Sequence, residues 1–233
     1  MKRLLLILAL CWPLLASEIY ATFESEAMRH ANLSLQATGV IASVHAQVGD
    51  RVKQGDLLLA LESSEQKALL AIAQVEHDQA KNRYDRFVLV RSSLSTEEFE
   101  AHEAAFFRAR ANLAYHRALL DNRRLVAPFD GVIADRRVHE GDLIQNATQG
   151  AFLILQEDRS RLVVSFDQRH LGQVKKGDRL LYRLDGQTQK SEAEITALYP
   201  AVDATSRKAQ AEAIVSGVAH GLFGQGRILT AKE

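Results

Sequence analysis

Eight histidines, a single cysteine and matched numbers of acids and bases are the side chains in this 233-residue sequence that could do chemistry. A metal centre needs three or four such ligands converging on one point. His102 and His116 fall on one helical face, but two heptads separate them, roughly 21 Å at 1.5 Å per residue. His77 faces elsewhere. Sulfur ligands suited to copper are scarce, since Cys11 is the only cysteine and Met1 and Met28 the only methionines. Gly-x-Ser-x-Gly, the P-loop and His-Glu-x-x-His, which mark serine hydrolysis, phosphate binding and zinc proteolysis, do not occur. Asp203 and Arg207 read as a turn-closing pair. The reading is a non-enzyme with no catalytic residue, no metal and no cofactor.

Charge removes another class. Lys plus Arg equals Asp plus Glu, 29 each, whereas a nucleic-acid partner calls for a basic excess. Hydrophobic residues at 47% and charged residues at 25% are ordinary for a folded chain of one large or several small domains.

The start reads as a targeting segment. Met1-Lys-Arg leads an apolar run, Leu4 to Ala16, broken by Pro13. It is shorter than the ~20 residues that span a bilayer. It fits a secretory signal, with cleavage after Ala16, Ser17 or Ala21, and 1–21 is assigned to it. An uncleaved anchor and acylation at Cys11 are the lesser alternatives; Leu10 stands where acylation wants a small residue.

Glycine placement shows the elements. From Asp56 to Ala127 there is neither Gly nor Pro, so this stretch is predicted to be mostly helix. Phe99, Phe106, Leu113 and Leu120 recur every seven residues, with Ala109 and His116 on the same face; Leu61, Ala68, Val75, Asn82 and Leu89 give the stripe expected on an earlier helix. Ser95-x-x-Glu98 is a capping box that starts the second helix near Thr96. The break before it is short, so the helices return as an antiparallel hairpin, about 28 residues each and roughly 40 Å long.

Either side, short apolar runs alternate with turns. GVIASVHAQVGD at 39–50 is matched by GVIADRRVHEGD at 131–142. Gly49-Asp50, Gly55-Asp56 and Gly141-Asp142 sit at chain reversals, and Gly131 is read with them as a structural turn glycine. Regularly spaced strand candidates after Arg161 predict a small β-barrel or sandwich. The assigned segments are 22–62, an N-terminal strand with the first β half; 63–124, the hairpin; 125–159, the second half; and 160–233, the barrel. The fold class is mainly β with a long inserted α-hairpin.

The doubled phrase resembles the two halves of a lipoyl or biotinyl carrier domain. No Asp-Lys-Ala or Met-Lys-Met is present to carry a prosthetic group. A split lipoyl-like (barrel-sandwich hybrid) domain, inserted hairpin, following barrel and export signal together resemble the periplasmic adaptors of tripartite efflux pumps, the HlyD-type membrane fusion proteins. Leu125-Val-Ala-Pro-Phe-Asp-Gly131 and Leu198-Tyr-Pro-Ala-Val-Asp-Ala-Thr-Ser-Arg207 are similar to family motifs, and Leu222-Phe-Gly-Gln-Gly226 stands where the family has a Pro-Gly turn. The likeness implies a non-enzymatic linker between an inner-membrane transporter, of the RND class first, and a TolC-like outer-membrane channel. It also implies a ring of commonly six protomers, and a periplasmic location in a Gram-negative bacterium, held at the inner membrane through the transporter. Arg86, Phe87, Leu94 and Ser95 lie nearest the family's channel-contact tip, although Phe replaces Leu and the spacing is one residue long. The membrane-proximal domain of many adaptors is expected to be absent or reduced to a strand. The alternatives are an adaptor for an ABC exporter or type I secretion system, and a free periplasmic lipoyl-like binding module, which would have no use for the rod.

Overall fold

Strict alternation of Ser160, Leu162, Val164 and Phe166 with exposed or half-exposed neighbours makes one strand of a sheet with a single buried face. The same period runs through its neighbours, and the result is a barrel. A computed structural model describes residues 17–93, 95–145, 150–203 and 205–230. The signal assignment falls largely on residues outside this set.

In chain order the elements begin with β1 (Ser17–Ala27), β2 (His30–Leu33), β3 (Gly39–Val44), β4 (Arg51–Val52) and β5 (Leu57–Leu61). The helices α1 (Ser64–Leu89) and α2 (Thr96–Asp121) follow. Then come β6 (Arg124–Val126), β7 (Gly131–Arg136), β8 (Leu143–Ile144) and β9 (Phe152–Leu155). The chain finishes with β10 (Ser160–Asp167), β11 (Arg179–Leu184), β12 (Ser191–Leu198), β13 (Lys208–Val215) and β14 (Phe223–Thr230). Two compact units result, one of His30–Leu155 and one of the remaining residues at both ends.

The end-to-end unit is a closed barrel in the order β1-β10-β13-β12-β11-β14. This corrects the expected segments. The N-terminal strand belongs to the barrel, pairing with β14 from Ser17↔Thr230 and with β10 up to Ala27↔Ser160. Ile19, Ala21 and Phe23 point into the core, and residues 17–21 belong to the first strand of the barrel. Gly224 makes room for Phe23: a Cβ there would lie 2.4 Å from the Phe23 ring. The buried hydroxyls of Ser25 and Ser160 are satisfied by the carbonyls of Ala219 and Val218.

The His30–Leu155 unit has two four-stranded sheets, β2-β9-β7-β4 and β6-β5-β3-β8. Ile41, Leu58, Leu61, Phe129, Ile133 and Ile154 form the centre of its core. Its two halves exchange turns. The Gly49 N–H donates to Ile133 O and the Ile133 N–H returns to Asp50 O; the Gly141 N–H donates to Ile41 O and the Ile41 N–H returns to Asp142 O. Ile41 and Ile133 hold the same place in the repeated phrase, so each copy closes on the other. In each turn the glycine has a left-handed φ, 92° and 87°, and the aspartate carboxylate accepts the amide of Gln47 or His139 at 2.7 Å. Gly55-Asp56 repeats the geometry on Ala127, and so does Gly177-Asp178 on Ile195 in the barrel. Gly131 differs. It is a strand residue, not a turn glycine, and a Cβ on it would stand 2.4 Å from Leu155 O.

Candidate functional site: the helical hairpin and its tip

Both helices run for 26 residues, slightly shorter than expected. Arg123 ties the base: its guanidinium donates to Glu62 O at 2.8 Å, and its carbonyl accepts the Leu61 amide. Ser63 occupies the N-cap of α1 without a side-chain bond. Its neighbour Glu62 takes that part, accepting from the Ser63 and Ser64 amides at 3.0 and 2.9 Å and from the Ser64 hydroxyl. The Ser64 hydroxyl and amide hold the Glu62 carboxyl below the ordinary carboxylate value. The junction is thus built as a helix start.

The α2 stripe is as expected: Phe99, Phe106, Ala109, Leu113, His116 and Leu120 turn inward. The α1 stripe is not. Ala68, Val75, Asn82 and Leu89 face solvent, while Leu70, Ala73, His77, Ala80, Tyr84 and Phe87 form the seam. Polar His77 and Tyr84 replace aliphatic residues there, so hydrophobicity alone marked the wrong face. They serve an aromatic ladder: Tyr84 stacks on Phe106 with centroids 5.1 Å apart, His77 meets Phe106 at 5.7 Å, and Phe87 lies flat on His102 at 3.7 Å. The Tyr84–Phe106 separation suits an offset stack of two rings. Arg91 closes the top, its guanidinium 4.2 Å from the Phe99 centroid.

The four predicted tip residues have different fates. Arg86 is exposed. Phe87 is turned inward by its His102 stack. Ser95 is the N-cap of α2, its hydroxyl accepting the Glu98 amide while the Glu98 carboxylate accepts the Ser95 amide. The Ser95 hydroxyl, which donates to that carboxylate at 2.9 Å, and then the Ser95 amide hold the Glu98 carboxyl below the ordinary value. Leu94 lies outside the described residues. Among the described residues the tip presents Val88, Leu89 and Val90, with Leu89 85% exposed. The signal that could have found them is an apolar triplet at the very end of the helix, just before Arg91.

Elsewhere no catalytic geometry forms among the described residues. The Ser160 hydroxyl, 3.3 Å from His220 Nδ1, gives its proton to Val218 O. Among the described residues no group of three His, Cys, Asp or Glu could hold a metal ion, and no helix is long and apolar enough to cross a membrane.

Residues 29–154 match the family model of the CzcB-like barrel-sandwich hybrid domain. The chain is 30% identical to an uncharacterised protein of Haemophilus influenzae over 181 residues, 76% of this chain and 47% of that one. It is 29% identical to the toluene efflux pump periplasmic linker protein TtgD of Pseudomonas putida, over 53% of this chain and 33% of that protein. The chain therefore spans half or less of the length of these relatives. In fold it resembles a MacA–MexA chimeric protein carrying the Pseudomonas aeruginosa MexA alpha-hairpin domain, with a TM-score of 0.83 at 20% identity, covering 93% of this chain and 80% of that one. The chain belongs to the CzcB-like barrel-sandwich hybrid family, and its relatives include a periplasmic linker protein of an efflux pump.

Proposed function

We propose that this protein is the periplasmic adaptor between an inner-membrane transporter of the RND class and a TolC-like outer-membrane channel, supporting export of small molecules. The observation that carries this reading is the uncovered apolar triplet Val88-Leu89-Val90 at the end of a 26-residue helix. A two-helix rod buries little, and exposing a Leu at 85% costs solubility unless a partner covers it. Arg86 and Arg91 flank the triplet, giving a small apolar centre with a charged rim, the composition of a docking tip. Assembly into a ring of six is part of the proposal. Val40 and Leu143, paired across β3 and β8 and exposed at 45% and 56%, support side-by-side packing of the lipoyl-like units.

The test is disulfide capture in the periplasm. Leu89→Cys or Ser92→Cys, combined with single cysteines along the periplasmic mouth of a TolC-like channel, is expected to give an adaptor–channel adduct. Trapping only adaptor–adaptor adducts at both positions would remove the tip assignment. Deleting residues 64–121 is expected to leave a folded, export-dead protein; retained export would show that the hairpin is not the conduit.

A further inference from the structure

Tyr20 stands 63% exposed on the outer face of β1, between two clefts of the barrel. One, of about 640 Å³, is lined by Arg169, Arg207 and Lys208; the other, of about 330 Å³, by Arg183, Lys190 and Arg227. Six cations face two acids there, Glu18 and Asp167, on a chain whose charges balance overall. Both acids are engaged, Glu18 by Arg227 and Asp167 by Arg169 at 2.9 Å. Among the described residues Arg183, Lys190, Arg207 and Lys208 have no acidic partner. Arg207 is also held in an unfavourable backbone conformation, with a φ of 55° that crowds any residue bearing a Cβ. Asp203 enforces it, its carboxylate accepting the Thr205 and Ser206 amides and its carbonyl the Arg207 amide. The turn thereby fixes the backbone from which Arg207 lines the cleft.

The geometry points to a binding face for the phosphate headgroups of an anionic membrane. The composition of the face favours a headgroup layer over an acidic protein surface. A protein interface wants an apolar centre, and among the residues lining these clefts only Tyr20 is a large exposed hydrophobic side chain. Tyrosine beside Lys and Arg is instead the pairing of membrane interfaces.

The test is co-sedimentation of the exported protein with vesicles. Binding is expected to phosphatidylcholine vesicles containing one-third phosphatidylglycerol, and not to pure phosphatidylcholine. The double variant Lys190→Ala/Lys208→Ala is expected to bind about thirtyfold more weakly, the loss for two cations near a charged surface, with an unchanged melting temperature. The control Arg108→Ala/Arg110→Ala removes the same charge from the hairpin and is expected to bind normally. Equal binding to both vesicles, or equal loss in the control, overturns the proposal. So does undiminished vesicle binding in inorganic phosphate that shields Lys190 and Lys208 from amine modification, which would make the clefts sites for a free anion. None of these readouts involves export, so failure here leaves the adaptor reading standing.

Discussion

Gly131 and Gly141 are the same residue in the sequence and different requirements in the structure. Gly141 needs its φ of 87°; Gly141→Ala should cost about 1 kcal/mol in left-handed strain. Gly131 needs empty space, because a Cβ would sit 2.4 Å from Leu155 O; Gly131→Ala should cost about 1–3 kcal/mol by overpacking. Gly172→Ala, with nothing within 4 Å, should fall within about 0.5 kcal/mol of the parent. Urea unfolding midpoints of the three variants rank them. Ser95→Ala removes one cap and should cost about 1 kcal/mol of hairpin stability. Ser95 and Ser64 hold Glu98 and Glu62 below their ordinary value of 4.5. A depressed folded value means stabilisation that is complete above the ordinary value and lost as pH falls through the folded one. Helix content followed by far-ultraviolet dichroism should therefore begin to decline below about pH 4.5, and Glu98→Gln should flatten that decline.

At the scale of the element, the hairpin separates packing from contact. Phe87 and Leu89 are both apolar and two positions apart, yet one stacks on His102 and the other projects into solvent. Phe87→Ala should lower hairpin stability by about 3 kcal/mol or less, since the site is only partly buried. Leu89→Ser should leave thermal unfolding unchanged and abolish the channel adduct formed through Ser92→Cys. If Leu89→Ser captures the channel as well as the parent, the triplet is not the contact. The second helix was legible because its seam is aliphatic and aromatic at strict heptad spacing. The first was misplaced by one face because its seam uses His77 and Tyr84, whose value lies in cross-helix stacking that no single-helix pattern encodes.

For the whole molecule, the barrel closes only through β1. Without it β10 and β14 would end as open edges, which invite association with other chains. The exported protein should therefore begin at Ser17 or Glu18 rather than Thr22, as intact-mass measurement can establish. Ile19→Ala, at a site 2% exposed, should cost about 2–5 kcal/mol, and deletion of residues 17–21 should leave the barrel aggregation-prone.

The sequence by itself determined the repeated half-domains, the Gly-Asp turns, the Gly-free hairpin and the cap at Ser95. Each is a local rule written within a dozen residues: a left-handed φ, a heptad, a hydroxyl three residues before a carboxylate. Only the tertiary structure decided that the N-terminal strand completes the C-terminal barrel, that Gly131 guards a close approach, that Phe87 faces in while Leu89 faces out, and that four cations without acidic partners gather around Tyr20. Those depend on which distant segments meet. Strand pairing across some two hundred residues, from Ser17 to Thr230, is set by core burial and closure of the sheet, and no local pattern records it.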